Sequence, residues 1–254
     1  MAEKNIQLII EYQGKNYSGW QSQQNSDTIQ DRILDAIFRT TSKHVNLLAA
    51  GRTDAGVHAL GQTANFIIDH TIEPSQYMKA LNFYLPDDIR VISSKEVPLE
   101  FHARFDALSK VYRYKIGFKK SALYHDFRWE IVEKLDVDIL KKSAEFVIGE
   151  HDFAPFCVVT SRKENNNCHI FSASWNIYEE EAVFEIKGNR FLHSMIRSMV
   201  GAMVQIASQK KDKNKQDLTL ESFRDIIENS TDYRITSCAP AHGLYLVSVE
   251  YKKD

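Results

Sequence analysis

The sequence predicts an α+β fold in two halves, the first with the βαββαβ order of a ferredoxin-like unit. Three observations carry this. Over residues 1–103, apolar residues alternate in short runs and recur at helical spacing in two longer ones. Over residues 104–254 the theme returns. A chain of 254 residues is also long enough for one large domain or two ordinary ones. No strong internal sequence repeat links the halves, so the duplication is one of pattern only.

Ile6–Tyr12 reads as a strand and leads into the loop Gln13–Asn16. Asp27, with Gln30 three residues on, reads as a capping box. Ile29, Ile33, Ala36 and Ile37 give the helix behind it an apolar face. Val45–Ala50 and Thr63–Ile68 read as strands on either side of a glycine-bearing loop. A helix over Ser75–Tyr84 ends before Pro86, and Ile89–Val97 reads as the next strand. In the second half, Ala107–Phe118 reads as a long strand. Val111, Arg113 and Lys115 share one face, and Tyr112, Tyr114 and Ile116 the other. A helix over Val137–Ile148 stops at Gly149. Ile170–Tyr178 and Ala182–Lys187 form a hairpin across Glu179–Glu181. Phe191–Ala207 is the strongest helix, with Met195, Met199, Met203 and Ile206 as a core stripe. A lysine-rich loop, a helix near Leu220–Ile227 and a strand over Gly243–Tyr251 complete the pattern.

The net charge of −2 argues mildly against a polyanion partner, but its distribution argues for one. Arg104–Lys120 holds six basic residues against Asp106, and Lys187–Lys215 holds seven against Asp212. The acids gather at Glu179–Glu181 and from Glu221 to Asp232. Charge alone leaves a basic face and ordinary solvated charges equally open. Cys157, Cys168 and Cys238 are an odd number without a CxxC pair, which predicts reduced thiols rather than disulfides or a zinc site. MAEKNIQLII has no signal-peptide core, and no apolar run approaches the ~20 residues that span a bilayer. The expectation is a cytoplasmic protein with no membrane partner.

The most informative stretch is GRTDAGVHA, Gly51–Ala59. It sets Asp54 between Arg52 and His58, with Gly51 and Gly56 on either side. A lone GRTD is also what a surface turn looks like, because aspartate hydrogen-bonds its own loop. His58 reads as a structural histidine rather than a catalytic base.

Four further blocks accompany the extended signature AAGRTDAGVHALGQTANF: EYQGKNYSGWQSQ, FHARFDALSKVYRY, GNRFLHSMIRSMVG and CAPAHGLYLVSVEY. Together, and in their order along the chain, they resemble the TruA family of tRNA pseudouridine synthases along almost the whole chain. The resemblance implies isomerisation of uridine to pseudouridine at positions 38, 39 and 40 of the tRNA anticodon stem-loop. It implies two ferredoxin-like halves forming a continuous, mostly antiparallel sheet with helices on one side and a basic cleft, and a homodimer. Residues 1–103 would carry the catalytic loop, and 104–254 would complete the cleft. Residue by residue, it implies Asp54 as the catalytic aspartate and Arg52 as the arginine that displaces the target nucleotide. Tyr112 would pack against the base and Arg197 would pair with the carboxylate. One region departs from the family pattern: in CVVTSRKENNNCHI (Cys157–Ile170), Asn165–Asn167 stand where relatives often carry basic residues. The RNA contacts of that segment are left open.

These residue types suit the chemistry. Uridine isomerisation exchanges the C1′–N1 bond for a C1′–C5 bond without redox change, so no cofactor and no metal is expected. A single carboxylate can attack C1′, add to C6 of the base, or remove the C2′ proton to give a glycal. All three courses need Asp54 ionised, which an adjacent Arg197 favours; alternatively Arg197 contacts a phosphate. An extruded base gains a stacking face from Tyr112, worth roughly 1–3 kcal/mol. Lys15, Arg104, Lys110 and Arg113 are candidate phosphate contacts. The competing readings are a noncatalytic RNA-binding or RNA-folding protein and a nucleoside hydrolase. The first has no need of an aspartate facing RNA. The second wants a paired acid or a metal to activate water, and the next acid after Asp54 is Asp69.

Overall fold

The computed structural model describes residues 2–208, 218–229 and 233–252. The lysine-rich segment at 209–217 lies outside these. The chain forms two compact units, Met1–Lys110 with Tyr245–Asp254, and Val111–Leu244.

In the first unit, strand β1 (Lys4–Tyr12), helix α1 (Ile29–Thr41), strands β2 (Leu48–Ala49) and β3 (His58–Ile68), helix α2 (Tyr77–Tyr84) and strand β4 (Ile89–Val97) follow the expected βαββαβ order. β1 lies between β4 and β3, antiparallel to both. The far edge of β3 is divided. β2 pairs antiparallel with Asn65 and Ala64, and the last strand, β10 (Leu244–Glu250), pairs parallel at His58 and Ala59. Ile6, Leu8, Ile10 and Tyr12 are buried at alternate positions, as a strand with one face on a core requires. Helix α1 buries Ile29, Ile33, Ala36 and Ile37. Its N-cap is Thr28, whose hydroxyl accepts the Asp31 N–H, not Asp27. Asp27 is one residue too early and pairs with Arg32 instead. A 3₁₀ turn at Pro74–Gln76 occupies the first residues of the expected second helix. Asn5 and Asn65 are buried and bonded to each other. Asn5 donates to the carbonyls of Pro98, Leu99 and Phe101, and Asn65 accepts the Ala103 N–H. Buried amides with their bonds met in this way pin the segment after β4.

In the second unit, β5 (Ser109–Gly117) buries Tyr112, Tyr114 and Ile116 on one face, while Val111, Arg113 and Lys115 alternate on the less buried one. The strand order is β5, β9 (Glu181–Gly188), β8 (Asn167–Ile177), β7 (Gly149–Asp152), with β6 (Trp129–Glu130) parallel beside β5. β8 and β9 form the expected hairpin, with Trp175 opposite Phe184. Helix α3 (Val137–Phe146) packs on α4 (Met195–Ala207), α5 (Leu220–Glu228) and β8. Met195, Met199 and Met203 of α4 are fully buried. The helix begins at Met195 rather than Phe191, because Ser194 adopts left-handed backbone at φ 59 and breaks the helical run. No helix among the described residues is long and apolar enough to cross a membrane.

Candidate active site

Asp54 stands on the loop between β2 and β3. That loop is tied to β3 at its start: the Ala50 N–H donates to the Thr63 carbonyl at 2.8 Å, and the Gln62 side-chain amide donates to the Gly51 carbonyl at 2.8 Å. Thr53 anchors its middle. Thr53 is buried, with its hydroxyl 2.8 Å from the Tyr12 hydroxyl and its carbonyl accepting the Trp20 N–H at 3.1 Å. The chain then turns, with the Val57 N–H donating to the Asp54 carbonyl at 3.2 Å and Gly56 at φ 79, where side chains are strained. Asp54 is half-buried and Arg52 exposed on either side of buried Thr53.

The platform beneath Thr53 was not singled out in the sequence. Tyr12 and Trp20 are buried with ring centroids 6.0 Å apart. Burial pushes the Tyr12 hydroxyl well above its ordinary range, against the opposing effect of the Thr53 bond, so it stays protonated. Gly19 sits at φ 90, and a Cβ there would come within 2.6 Å of the Thr53 carbonyl oxygen. The only signal of this role was the Gly19-Trp20 pair in the N-terminal block.

His58 is structural. It is buried, accepts the Gly14 N–H at Nδ1 (3.1 Å), and stacks on Tyr245 at 4.8 Å. Its bond to Gly14 sets the short turn Gly14–Asn16, and with it exposed Lys15, beside the Asp54 loop. Lys110 also reaches this loop, its Nζ 3.8 Å from where a Cβ on Gly51 would lie. Arg104 stands on the separate 101–106 turn with its guanidinium 5.7 Å from the Phe105 ring centre.

Tyr112, Arg113 and Arg197 belong to the second unit. Tyr112 is 7% exposed and packs edge-on against Phe191 at 5.1 Å. Arg113, on the other face of β5, is paired with Glu185 at 2.7 Å, so much of its charge is already countered. Arg197, in the first turn of α4, is half-buried. Its Nε donates to the Ala239 carbonyl at 2.9 Å, and its own carbonyl accepts the Ala239 N–H at 2.9 Å. The neighbouring Pro240 carbonyl accepts the Tyr114 hydroxyl at 2.8 Å. Burial drives that hydroxyl far up, with the Arg197 charge opposing. The segment 238–243 thus orients Arg197, a role that only its alanine-, proline- and glycine-rich sequence hinted at. Nowhere among the described residues do three or more His, Cys, Asp or Glu side chains gather as metal ligands would.

A half-buried aspartate on a hydrogen-bonded loop, with basic residues around it, defines a candidate site for chemistry on a polyanion. Comparison with known proteins gives the chain its family. The family model described as tRNA pseudouridine synthase matches residues 8–106 and 144–252, and the chain belongs to that family. It is similar to tRNA pseudouridine synthase A of Acetivibrio thermocellus, 40% identical over 250 residues that cover 98% of this chain and 100% of the relative. It is similar also to the proteins of the same name from Azobacteroides pseudotrichonymphae (36% identical, 96% and 95% covered) and Prochlorococcus marinus (35% identical, 99% and 92% covered).

Proposed function

We propose that this chain isomerises uridine to pseudouridine in tRNA, at positions 38, 39 and 40 of the anticodon stem-loop, with Asp54 as the nucleophile. The observation that carries the reading is the placement of Asp54. It is held by the buried Tyr12–Thr53 bond and the Gly56 turn, in a chain similar over nearly its whole length to enzymes named for this reaction.

In the proposed course the target nucleotide leaves the stem, with Arg52 helping to displace it and Tyr112 offering its ring to the base. The Asp54 carboxylate attacks C1′. The C1′–N1 bond breaks, and its electron pair stays on the uracil. The uracil turns, C5 attacks C1′, and the ester to Asp54 breaks. The C5 proton leaves and N1 takes one up, so atoms balance without a cofactor. Addition of Asp54 to C6, or removal of the C2′ proton to give a glycal, would use the same carboxylate. Arg197 pairs with Asp54; its bond to Ala239 supports this by fixing the guanidinium plane. Lys15 and Lys110 take backbone phosphates beside the loop, with Arg104 and Arg113 as outer contacts. The working protein is a cytoplasmic homodimer.

Carbodiimide-dependent primer extension on an unmodified tRNA transcript tests this. Stops within the anticodon stem-loop that require the enzyme support it. Tight binding without any stop would instead favour a noncatalytic RNA-binding protein, and release of free uracil a hydrolase.

A further inference from the structure

Residues 157–166 run from buried Cys157 to the start of β8 as a strap held by side chains. The Ser161 hydroxyl lies 2.8 Å from His193 Nδ1, and the Val158 N–H donates to the His193 carbonyl at 3.3 Å. Asn166 accepts the Lys163 N–H at 2.9 Å and returns its amide to the Lys163 carbonyl at 2.6 Å. The Asn165 side-chain oxygen accepts the Asn167 N–H at 2.8 Å. The asparagines here therefore build a turn, and the strap lies against residues 189–193, which include Phe191, the ring packed on Tyr112.

This arrangement gathers Arg162, Lys163 and Arg190 against the single acid Glu164 of these two segments. Two of the guanidinium nitrogens of Arg162, Nε and Nη2, are shielded from solvent with no hydrogen-bond acceptor among the described residues. Among the described residues Arg190 has a single long bond, Nη2 to the Asn165 carbonyl at 3.4 Å. The Arg190 bond to Asn165 and the Ser161–His193 contact bring the segments that carry the two guanidiniums together, and both charges oppose the burial that raises the Cys157 thiol pKa. Unmet charged donors of this kind suit an anionic acceptor. A guanidinium fork matches phosphate oxygens in geometry and charge.

We propose that Arg162 and Arg190 form a receptor for RNA backbone phosphates beside the Tyr112–Phe191 ring pair, oriented by the asparagine turn and the Ser161–His193 contact. The inference rests on the reading of this chain as a tRNA-modifying enzyme. It assigns the second unit a phosphate contact of its own, next to where the base would lie. Rotation of the Arg162 side chain toward the anion satisfies the two shielded donors.

Salt-dependent titrations with an unmodified tRNA transcript test it, comparing the full chain with Arg162→Ala, Arg190→Ala and Arg162→Lys. Each alanine variant is expected to weaken binding about 5- to 20-fold and to flatten log affinity against log salt by about 0.7–0.9 per lost phosphate contact. Arg162→Lys keeps the slope. If an alanine variant loses its circular dichroism signature, Arg162→Gln or Arg190→Gln replaces it with the same expectation. Unchanged slopes in folded variants overturn the proposal even where affinity falls, because that pattern marks lost packing. Pseudouridine mapping on the same samples separates the two readings. Flattened slopes without product would sink the proposed reaction and leave the phosphate receptor standing; product with unchanged slopes would do the reverse.

Discussion

Arg197 and Ala239 are joined twice. The Arg197 Nε donates to the Ala239 carbonyl, and the Ala239 N–H donates to the Arg197 carbonyl, each at 2.9 Å. The first of these leaves the flat end of the guanidinium as the part that can meet a carboxylate. A lysine has no Nε–H and no plane, so it cannot make both contacts. Arg197→Lys should therefore lower single-turnover pseudouridine formation by about 10- to 100-fold, the loss of one charge-assisted bond in the transition state. Full activity at neutral pH would refute the pairing of Arg197 with Asp54.

Gly19 carries the Asp54 loop from below. At φ 90, and with the Thr53 carbonyl 2.6 Å from where its Cβ would be, Gly19→Ala combines backbone strain with a clash. Urea unfolding should show a loss of about 2 kcal/mol or more. Activity should fall further than that loss of folded protein explains, because the loop itself is displaced. A variant as stable and active as the parent would mean that the Gly19 contact does not hold the loop.

Helix α1 gives a local test of the fold. Thr28→Ala removes the cap on the Asp31 N–H and should cost about 1 kcal/mol in urea unfolding. Asp27→Ala breaks an exposed pair with Arg32 and should change stability by less than about 0.5 kcal/mol. The reverse order would restore Asp27 as the cap.

Alkaline pH should destabilise the protein in a defined window. Burial raises the Cys168 thiol from an ordinary 9.0 to about 11 and the Tyr77 hydroxyl from 10.0 to about 12. Both groups hold their protons more tightly folded than unfolded. Their contribution is complete below pH 9 and is lost as pH rises through the folded values. The melting temperature should fall between about pH 9 and 12, and Cys168→Ala should remove the earlier part of that fall. A flat profile in calorimetry would contradict the burial of these groups.

Much of this was legible because it is local. Alternation in Val111–Ile116 placed Tyr112 on the buried face, and the Gly51–Ala59 stretch marked Asp54 through its flanking charges and glycines. The start of α4 was not legible, since helical spacing begins at Phe191 but the backbone reverses at Ser194. Asp27 and Thr28 are adjacent candidate caps, and only the first helical residue, Ile29, decides between them. Pairing of β10 with β3 joins residues nearly two hundred positions apart, a relationship that periodicity does not encode. The support of Asp54 by Tyr12, Gly19 and Trp20, and of Arg197 by Ala239, is equally non-local.

The claim that Asp54 carries the chemistry is tested most directly by Asp54→Asn, which keeps the shape of the side chain and removes the nucleophile. The measurement is tritium release from tRNA labelled at uridine C5, with tRNA binding followed in parallel. The account predicts that the variant binds tRNA about as tightly as the parent protein and releases no tritium above background. Tritium release by Asp54→Asn at a rate near that of the parent would contradict it.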